Sequence, residues 1–451
     1  MTGFTRNINN IFYLFITAHL ILWTIVPSLT NNNLPLDTIE ALAWGSNLDW
    51  GFNKHPPLSA FFPEVFFQIF GSQDWAYYLL SQIFVITSFY YVFKFSKEIF
   101  NNNLLSLFSV LLIEAIYFYN FTTPEFNVNV CQLPFWAITV YFSWKIYNNK
   151  DIKFSDCFLV GLFAACGFLS KYLFIYLLIS IDLLFIYLIF IKKERKFDFK
   201  YLITAEVFLF ILIPHLIWLN NNDFITIKYG LARTGLEEFS LIDHIKFPLI
   251  FLVKQIGILF PFIFLIWLLV KKIKFKLNLK DKKLIFLIAI NILPIILMFL
   301  TSVILGSKVR TMWMTPFYLF FGTLFVYLLQ AQIKIKKLKS FIYGFVFLFL
   351  LSPALYAYIS ISKEDKRTDY PGKEIAIQAQ EVWDKNRNEK IIWIIGGNEW
   401  TSGNLSYHLK DRPKWKLEWH SRDKFPEAIW LCGKKKGASC LDINDHIDLQ
   451  R

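Results

Sequence analysis

The sequence predicts a polytopic α-helical membrane protein with about 11 transmembrane helices and a small soluble α/β domain at its C-terminus. Hydrophobic residues make up 55% of the 451 residues, and 50 phenylalanines contribute to an aromatic content of 19%. The mean hydropathy of +0.43 is too high for an ordinary soluble domain. Apolar runs close to the thickness of a bilayer recur along the chain and stop near position 361.

Each apolar run is a candidate membrane span. No small-x-small cleavage site follows the first run, so we expect an uncleaved span there and not a signal peptide. Two runs are separated only by Ser170, Lys171 and Tyr172, so they form either a tight helical hairpin or one broken helix. The runs lie near 10–29, 76–95, 104–120, 127–146, 157–170, 172–191, 201–219, 247–270, 284–305, 312–330 and 340–361.

The distribution of basic residues predicts the orientation of these spans. If the hairpin forms, the loops on the N-terminal side carry roughly three times as many Lys and Arg residues as the opposite loops. The positive-inside rule then favours the hairpin, a cytoplasmic N-terminus and an outer location for residues 30–75. The net charge of +13 therefore reflects topology, and we expect membrane lipids and no nucleic acid as partners.

The chain divides into a membrane region, 1–361, and a polar tail, 362–451, which an odd number of spans places outside. Hydrophobic spacing in the tail predicts an α/β module with helices over 372–386 and 400–409 and strands over 390–395, 414–419 and 428–432. Outside a bacterial inner membrane, Cys432 and Cys440 could pair, but spacing alone leaves two free thiols equally open.

Two acids open the first outer loop, which spans residues 30–75. Asp37 follows Pro35, and Glu40 comes three residues later, a pattern that fits a helix N-cap with a capping box. An acid at the membrane boundary can equally act as a general base toward an acceptor hydroxyl while a nearby cation holds a leaving phosphate. Both interpretations stay open at this stage.

Further polar residues follow in the first and second outer loops. Lys54 and His55 precede two prolines that restrict the backbone, and they are either phosphate contacts or interfacial side chains. Glu125 and Asn127 lie at the mouth of a span, where a carboxylate is costly unless it faces a cavity. The alternative for Glu125 is a place in the first turn of a helix that Thr123 caps.

Several outer cations could converge on an anionic substrate. Lys254 lies about seven residues inside a span, where a lone lysine faces a partner or a water-filled pocket, or else snorkels to the headgroups. The candidates for binding donor phosphate or substrate are Lys54, His55, Asn127, Lys171, Tyr172, Arg233, Lys254, Lys308 and Arg310. The sequence contains no P-loop, GxSxG or GxGxxG motif, and metal binding by His215 has little support.

Taken in order, the polar motifs resemble the bacterial GT-C membrane glycosyltransferases of the protein-mannosyltransferase-like type. This group includes lipid A aminoarabinose transferase and rhizobial galacturonosyltransferases. The motifs are D-x-x-E at 37–40, W-G-x-x-K-H-P-P-L at 50–58, T-T-P-E-F-N at 122–127, G-F-L-S-K-Y at 167–172, P-H-L-I-W-L-N at 214–220 and K-V-R-T-M-W-M-T-P at 308–316.

The resemblance implies inverting transfer of a sugar from an undecaprenyl or similar polyprenyl phosphate on the periplasmic face of the inner membrane. Asp37 would match the family's first catalytic acid and Glu125 the second, with Glu40 beside them, and Lys54 with His55 would meet the donor phosphate. Many relatives carry Asp where this chain has Glu125. Metal dependence varies in the family, so we assign no cofactor and leave a divalent metal open.

The acceptor is open among lipid A, a core sugar, another glycan and a protein. A transporter or flippase for lipid-linked sugars is the alternative from another class, since it too needs an amphiphilic cavity. Many transporters show paired interrupted spans in two halves, whereas this chain concentrates its acids in two outer loops. A non-catalytic assembly subunit is the third alternative, in which Asp37→Asn would leave activity intact.

Overall fold

The computed structural model describes most of the chain: residues 2–235, 240–270, 272–275, 277–387, 391–417, 429–433, 440–444, 446–447 and 449. Fourteen helices are described before position 363. They are α1 (Thr2–Thr30), α2 (Leu36–Gly45), α3 (Leu58–Phe70), α4 (Asp74–Phe100), α5 (Asn103–Glu114), α6 (Val128–Asn148), α7 (Phe154–Ser170), α8 (Ile175–Ile186), α9 (Lys200–Asn221), α10 (Ile225–Ala232), α11 (Asp243–Leu269), α12 (Lys282–Leu305), α13 (Phe321–Leu329) and α14 (Leu338–Ser362).

Seven of the described helices are long and apolar enough to cross a membrane, or eight if one bent pair counts as a single span. The seven are α1, α4, α8 with its flanking turns, α9, α11, α12 and α14, and the bent pair joins the 3₁₀ segment Thr311–Tyr318 to α13. Three shorter apolar helices, α3, α5 and α7, accompany them. The chain is thus a helical membrane protein, and its count of eleven spans stays a prediction.

Every predicted run coincides with a helix or a bent pair, but three runs differ from a simple span. The run 104–120 contains only the 12-residue helix α5 before the chain turns. Helix α6 has 21 residues but is buried on almost all sides, so protein surrounds it in place of lipid and its polar residues are tolerated. Helix α7 ends at Ser170, Lys171 is extended, and α7 packs on α6 and α9 whereas α8 packs on α12.

The C-terminal part forms a small α/β domain. It contains α15 (Gly372–Asn386), α16 (Glu399–His408) and four short strands, β1 (Ile394–Gly396), β2 (Lys414–Lys416), β3 (Trp430–Cys432) and β4 (Cys440–Asp442). The sheet order is β2-β1-β3-β4, with β1 and β2 parallel and the other pairs antiparallel. Its core packs Trp383 and Ile395 with Leu405 and Leu431.

The predicted tail elements agree with this domain, with shorter strands than expected. The helix over 372–386 matches α15, and α16 begins one residue before the predicted start. Positions 390, 419 and 428, which bounded the predicted strands, lie outside the described residues. Strand β4 was not predicted, and it pairs with β3 so that Cys432 and Cys440 form a disulfide bond.

The C-terminal domain docks on the first outer loop through α16. Gly403 lies so close to α2 that an added Cβ would come within 3.0 Å of Ile39 Cγ2. Arg412 reaches across to α3, where its guanidinium lies 2.7 Å from the Glu64 carboxylate. The Tyr407 hydroxyl donates a 2.7 Å hydrogen bond to Asp74 at the start of α4. These contacts place the tail against the helix that carries Asp37.

Candidate functional site

Asp37 lies in the first turn of α2 and does not cap it. The N-cap is Pro35, with φ of −62° and ψ of 160°, so the helix begins two residues earlier than the capping-box pattern predicts. The predicted capping box is therefore wrong, because Pro35 has no side-chain acceptor and Glu40 binds a lysine. The Asp37 carboxyl does not cap the helix, and its backbone N–H instead donates a 3.0 Å hydrogen bond to Glu125 Oε1.

Glu125 lies in the turn before α6, outside any helix. Asn127 caps α6, since its side-chain oxygen accepts hydrogen bonds from Asn129 N (2.8 Å) and Val130 N (3.2 Å). The expectation that Thr123 begins this helix, with Glu125 in its first turn, is therefore wrong. A second contact, from Thr38 Oγ1 to Phe126 O at 3.1 Å, fastens the turn to α2. The two outer loops thus bring their acids together.

The two carboxyls share an environment that favours one proton between them. Burial, and then the neighbouring Asp37, raises the pKa of Glu125 to about 8. Burial also raises the pKa of Asp37, but Lys171, Lys54, Arg233 and Arg367 oppose this. Both side chains keep partial exposure. With its pKa near 8, Glu125 holds its proton at neutral pH, and the two carboxyls titrate as a coupled pair.

Lys171 is the buried cation that most strongly opposes the protonation of Asp37. Its ammonium donates a hydrogen bond to Asn129 Oδ1 and lies 5.6 Å from the ring centroid of Trp313. Burial lowers the pKa of Lys171 to about 7, and Asp37 partly offsets this effect. The sequence predicted Lys171 as a substrate-binding residue, and the structure places it in the electrostatic field of the acid pair.

Lys54 is held by two carboxylates from distant parts of the chain. Its ammonium lies 2.9 Å from Glu40 Oε1 and 3.3 Å from Glu399 Oε1, and the three side chains are between 12% and 19% exposed. Burial lowers the pKa of Lys54, but Glu40 and Glu399 outweigh burial and leave the pKa above its ordinary value. Burial raises the pKa of Glu40. Lys54 is therefore charged, and its side chain keeps partial exposure.

The loop that carries Lys54 and His55 is fastened to the end of α9 and to α10. His215 Nδ1 donates a 2.6 Å hydrogen bond to Trp50 O, so its Nε2, 2.7 Å from the Tyr172 hydroxyl, accepts from that group. Thr226 Oγ1 donates to Phe52 O at 2.6 Å. Tyr172 and His215 thus hold the loop in place.

His55 lies between aromatic rings within this loop. Its imidazole makes edge contacts with Trp44 and Tyr229, at centroid distances of 5.7 Å and 6.3 Å. Burial, then Lys171 and Lys54, lowers the pKa of His55 to about 3. The side chain is therefore neutral at physiological pH, and it could hydrogen-bond a phosphate without adding charge.

The remaining predicted cations are less closely tied to the acid pair. Arg233 is exposed at the end of α10, above the Tyr229 ring, and lowers the pKa of both Asp37 and His55. Lys254 and Lys308 are exposed and Arg310 is half-buried. The Lys308 backbone N–H donates to Thr234 O at 2.9 Å, which places Lys308 beside Arg233.

Sequence reasoning missed two charged residues of the C-terminal domain that lie near the site. Glu399 binds Lys54 and also accepts a 2.8 Å hydrogen bond from Asn53 Nδ2. Arg367 lies 5.2 Å from the Trp400 ring and lowers the pKa of Asp37. Neither residue lies in one of the motifs that the sequence singled out. Within the described residues, no group of three or more His, Cys, Asp or Glu side chains could hold a metal.

Comparison with known proteins agrees with the motifs. Residues 54–218 match the family model described as dolichyl-phosphate-mannose-protein mannosyltransferase. ArnT from Cupriavidus metallidurans in the apo state superposes with a TM-score of 0.62 at 12% identity, covering 91% of this chain and 86% of that chain. The chain has the ArnT fold.

A second structure supports the same conclusion. ArnT from Cupriavidus metallidurans bound to undecaprenyl phosphate gives a TM-score of 0.58 at 13% identity, covering 90% of this chain and 85% of that chain. The predicted resemblance and the predicted GT-C fold are thereby confirmed. No curated protein sequence matches the chain. The family-model match includes Lys54, His55 and Glu125 and begins after Asp37.

Proposed function

We propose that this protein is a membrane glycosyltransferase that moves a sugar from a polyprenyl phosphate donor to a hydroxyl group of a glycolipid or glycan acceptor. The observation that carries the proposal is the Asp37–Glu125 pair: the Asp37 backbone N–H donates a hydrogen bond to the Glu125 carboxyl, and Lys171 and Lys54 act electrostatically on the Asp37 side chain. The ArnT-like fold and the family-model match over 54–218 support it.

The donor class follows from charge and surroundings. ArnT with undecaprenyl phosphate bound shows that this fold can hold a polyprenyl phosphate. In our proposal Lys54 and His55 contact the donor phosphate, because Lys54 is charged and its loop is rigidly fastened. Arg233 and Lys308 lie side by side at the rim, where they would attract the same anion. Lys254 and Arg310 stay candidates for contacts with the lipid-linked phosphate.

The chemical step is a direct displacement at the anomeric carbon. The ionised Asp37 accepts the proton of the acceptor hydroxyl while the oxygen of that hydroxyl forms the new bond to the anomeric carbon. The bond from that carbon to the phosphate oxygen breaks, and its electron pair leaves with the polyprenyl phosphate. Lys54 stabilises the added negative charge on the phosphate. A single displacement inverts the anomeric configuration.

Glu125 assists this step as a neutral acid. While Glu125 holds its proton, the pair carries a single negative charge. Ionisation of Glu125 would place a second negative charge beside Asp37. Its hydrogen bond from the Asp37 backbone N–H fixes the turn of α2 from which the Asp37 side chain projects. Asn127 and Tyr172 are assigned to orientation, since each holds a segment that carries a site residue.

The membrane arrangement belongs to the same proposal. The basic loops would face the cytoplasm, and the acid pair and the C-terminal domain from position 362 would face the periplasm of a bacterial cell. Docking of α16 on α2 supports a location of the domain on the same side as the acid pair. A disulfide between Cys432 and Cys440 fits an oxidising compartment.

Mass spectrometry of lipid A and core oligosaccharide tests the function. A strain lacking the gene would be complemented with the wild-type protein or with an empty vector at the same copy number. We expect the wild-type protein to restore a mass increment of one sugar on one of these glycolipids. No change in either glycolipid, together with no change in protein-linked or polymeric glycans, would contradict the proposed transferase.

A further inference from the structure

We infer that His19 and Gln82, deep in the helical region, are positioning residues that hold Glu125 against Asp37. The inference rests on the proposed function, because it assigns these residues to the geometry of the same acid pair. Both side chains are fully buried. They lie on α1 and α4, far from the second outer loop in sequence, and form a chain of hydrogen bonds that leads to it.

Gln82 makes the contact with the loop. Its Nε2 donates to Thr123 O at 3.1 Å and to Thr123 Oγ1 at 3.2 Å. Thr123 Oγ1 in turn donates to Asn120 O at 2.7 Å, which closes the turn. Only Pro124 separates Thr123 from Glu125, and its ring restricts the backbone between them. A shift at Thr123 is therefore passed on to the Glu125 carboxyl.

His19 fixes the orientation of the Gln82 amide. Because Gln82 Nε2 points to the carbonyl of Thr123, Oε1 is the atom 3.2 Å from His19 Nε2, and it accepts a hydrogen bond there. On its other side, His19 Nδ1 lies 3.2 Å from Glu114 Oε1 on α5. The amide thus cannot flip without losing hydrogen bonds at both ends.

Glu114 ties the network to the same loop by a second route. Its backbone carbonyl accepts a 2.5 Å hydrogen bond from Asn120 Nδ2. Asn120 Oδ1 also accepts from Ser352 on α14 at 3.0 Å. Both routes end on the segment from Asn120 to Thr123, the segment that presents Glu125. A buried His–Glu pair within an apolar helical region is costly, and here every described link from it leads toward one loop.

The network therefore explains how an acid in an irregular turn is held. Glu125 has no helix of its own, yet its carboxylate must meet the Asp37 backbone N–H at 3.0 Å. Below it, Ser81 Oγ and Gln82 Nε2 both bind Thr123 O, at 2.5 Å and 3.1 Å. Displacements of about 1 Å at a catalytic group can cost two orders of magnitude in rate. We assign Gln82 and His19 to preventing such a displacement.

The test is Gln82→Met, which keeps the volume of the side chain, removes all three hydrogen bonds of the Gln82 amide and leaves no unpaired charge. We expect kcat to fall by roughly 10- to 100-fold, with KM for the polyprenyl-linked donor changed by less than about twofold. Ser96→Ala is the matched control, since Ser96 lies on the same helix and makes a buried 2.7 Å contact with Thr323, away from the loop. We expect Ser96→Ala to keep the wild-type kcat.

A double-mutant cycle separates positioning from general stability. If Gln82 acts through Glu125, Gln82→Met should have almost no further effect on kcat in a Glu125→Ala background. His19→Gln, which keeps a donor toward Gln82 Oε1, should recover most of the activity that His19→Leu loses. Equal losses from Gln82→Met in both backgrounds would overturn the inference, as would a wild-type kcat in Gln82→Met.

The same cycle distinguishes failure of the inference from failure of the proposed function. If Glu125→Ala and Asp37→Asn both retain wild-type transfer, the proposed function of the acid pair is wrong. If both variants lose activity while Gln82→Met acts additively, only the positioning role of Gln82 is wrong.

Discussion

The backbone N–H of Asp37 donates a 3.0 Å hydrogen bond to the carboxyl of Glu125, 88 residues further along the chain. The bond joins the first turn of α2 to the turn before α6, so it ties the first outer loop to the second. It also places Glu125 at the positive end of the α2 dipole, where an acceptor oxygen is stabilised. The catalytic hypothesis follows from this contact, because it brings two acids into one coupled titrating pair.

Replacing Lys54 with alanine should weaken donor binding. A hydrogen bond to a charged group contributes about 1.5 to 3 kcal/mol, so we expect KM for the polyprenyl-linked donor to rise roughly 10- to 100-fold. Steady-state kinetics in detergent or nanodiscs would measure this change. The matched control is Lys228→Ala, an exposed lysine on the nearby helix α10, for which we expect a wild-type KM. An unchanged KM in Lys54→Ala would contradict the assignment of Lys54 to the phosphate.

Stability should depend on pH through Glu125. The folded protein raises the pKa of this carboxyl from 4.5 to about 8, so between these values it holds a proton that the unfolded chain has lost. The contribution of Glu125 to the free energy of unfolding therefore falls as pH rises from about 5 to 8. Because glutamine does not titrate, the free energy of unfolding of Glu125→Gln does not fall in this way as pH rises. The midpoint temperature of Glu125→Gln should gain at least about 2 °C relative to wild type between pH 5.5 and pH 8.

Thermal unfolding at both pH values, each in the same detergent, measures the relative shift. A difference between the two proteins that does not change with pH would show that Glu125 titrates normally. Lys171 affects both proteins alike. Folding lowers the pKa of Lys171 from 10.5 to about 7, so above pH 7 the folded protein binds fewer protons than the unfolded chain. The free energy of unfolding therefore rises with pH in this range, equally in both proteins.

The sequence was sufficient for the fold class, and the structure brings together the two acids that it named, Asp37 and Glu125. Runs of apolar residues located every long helix, and α15 lies at its predicted bounds, because hydrophobic spacing is a local property. The two capping expectations were wrong for a shared reason. Local patterns allow several start points for a helix, and α2 and α6 begin after Pro35 and Asn127 and not after Asp37 and Thr123.

The contacts between distant segments could not be predicted from local patterns. Glu399 binds Lys54 across 345 positions, and neither residue stands in a motif that names the other. In the sequence, Gln82 and His19 are isolated polar residues within apolar helices. Only their hydrogen bonds in the structure show that they connect to the second outer loop. The sequence therefore names candidate acids and cations but does not predict which residues they contact.

Arg412→Ala should loosen the C-terminal domain from the membrane region. The Arg412 guanidinium contacts Glu64 and Leu42 O, both at 2.7 Å, and lies 4.2 Å from the Phe67 ring centroid. Its loss leaves the Glu64 carboxylate buried without this partner, at a cost of about 3 kcal/mol. Limited proteolysis should cleave the tail of Arg412→Ala faster than that of Lys410→Ala, an exposed neighbour. Equal cleavage rates would contradict the docking role of Arg412.

A reporter fused after Ile361 should score as periplasmic. This position ends α14, and the proposed orientation places everything beyond it outside the cytoplasm. A second fusion in the loop between α6 and α7 should score as cytoplasmic and serves as the control. A cytoplasmic signal from the Ile361 fusion would contradict both the predicted number of spans and the proposed location of the acid pair.

The most direct test of the central claim is mass spectrometry of the glycolipids from a deletion strain complemented with Asp37→Asn at matched expression. Asp49→Asn is the control, since Asp49 is an exposed acid in the same loop. We expect Asp49→Asn to restore the one-sugar increment and Asp37→Asn to restore none of it. Full restoration by Asp37→Asn would show that the carboxyl pair is structural and that Asp37 does not drive the transfer.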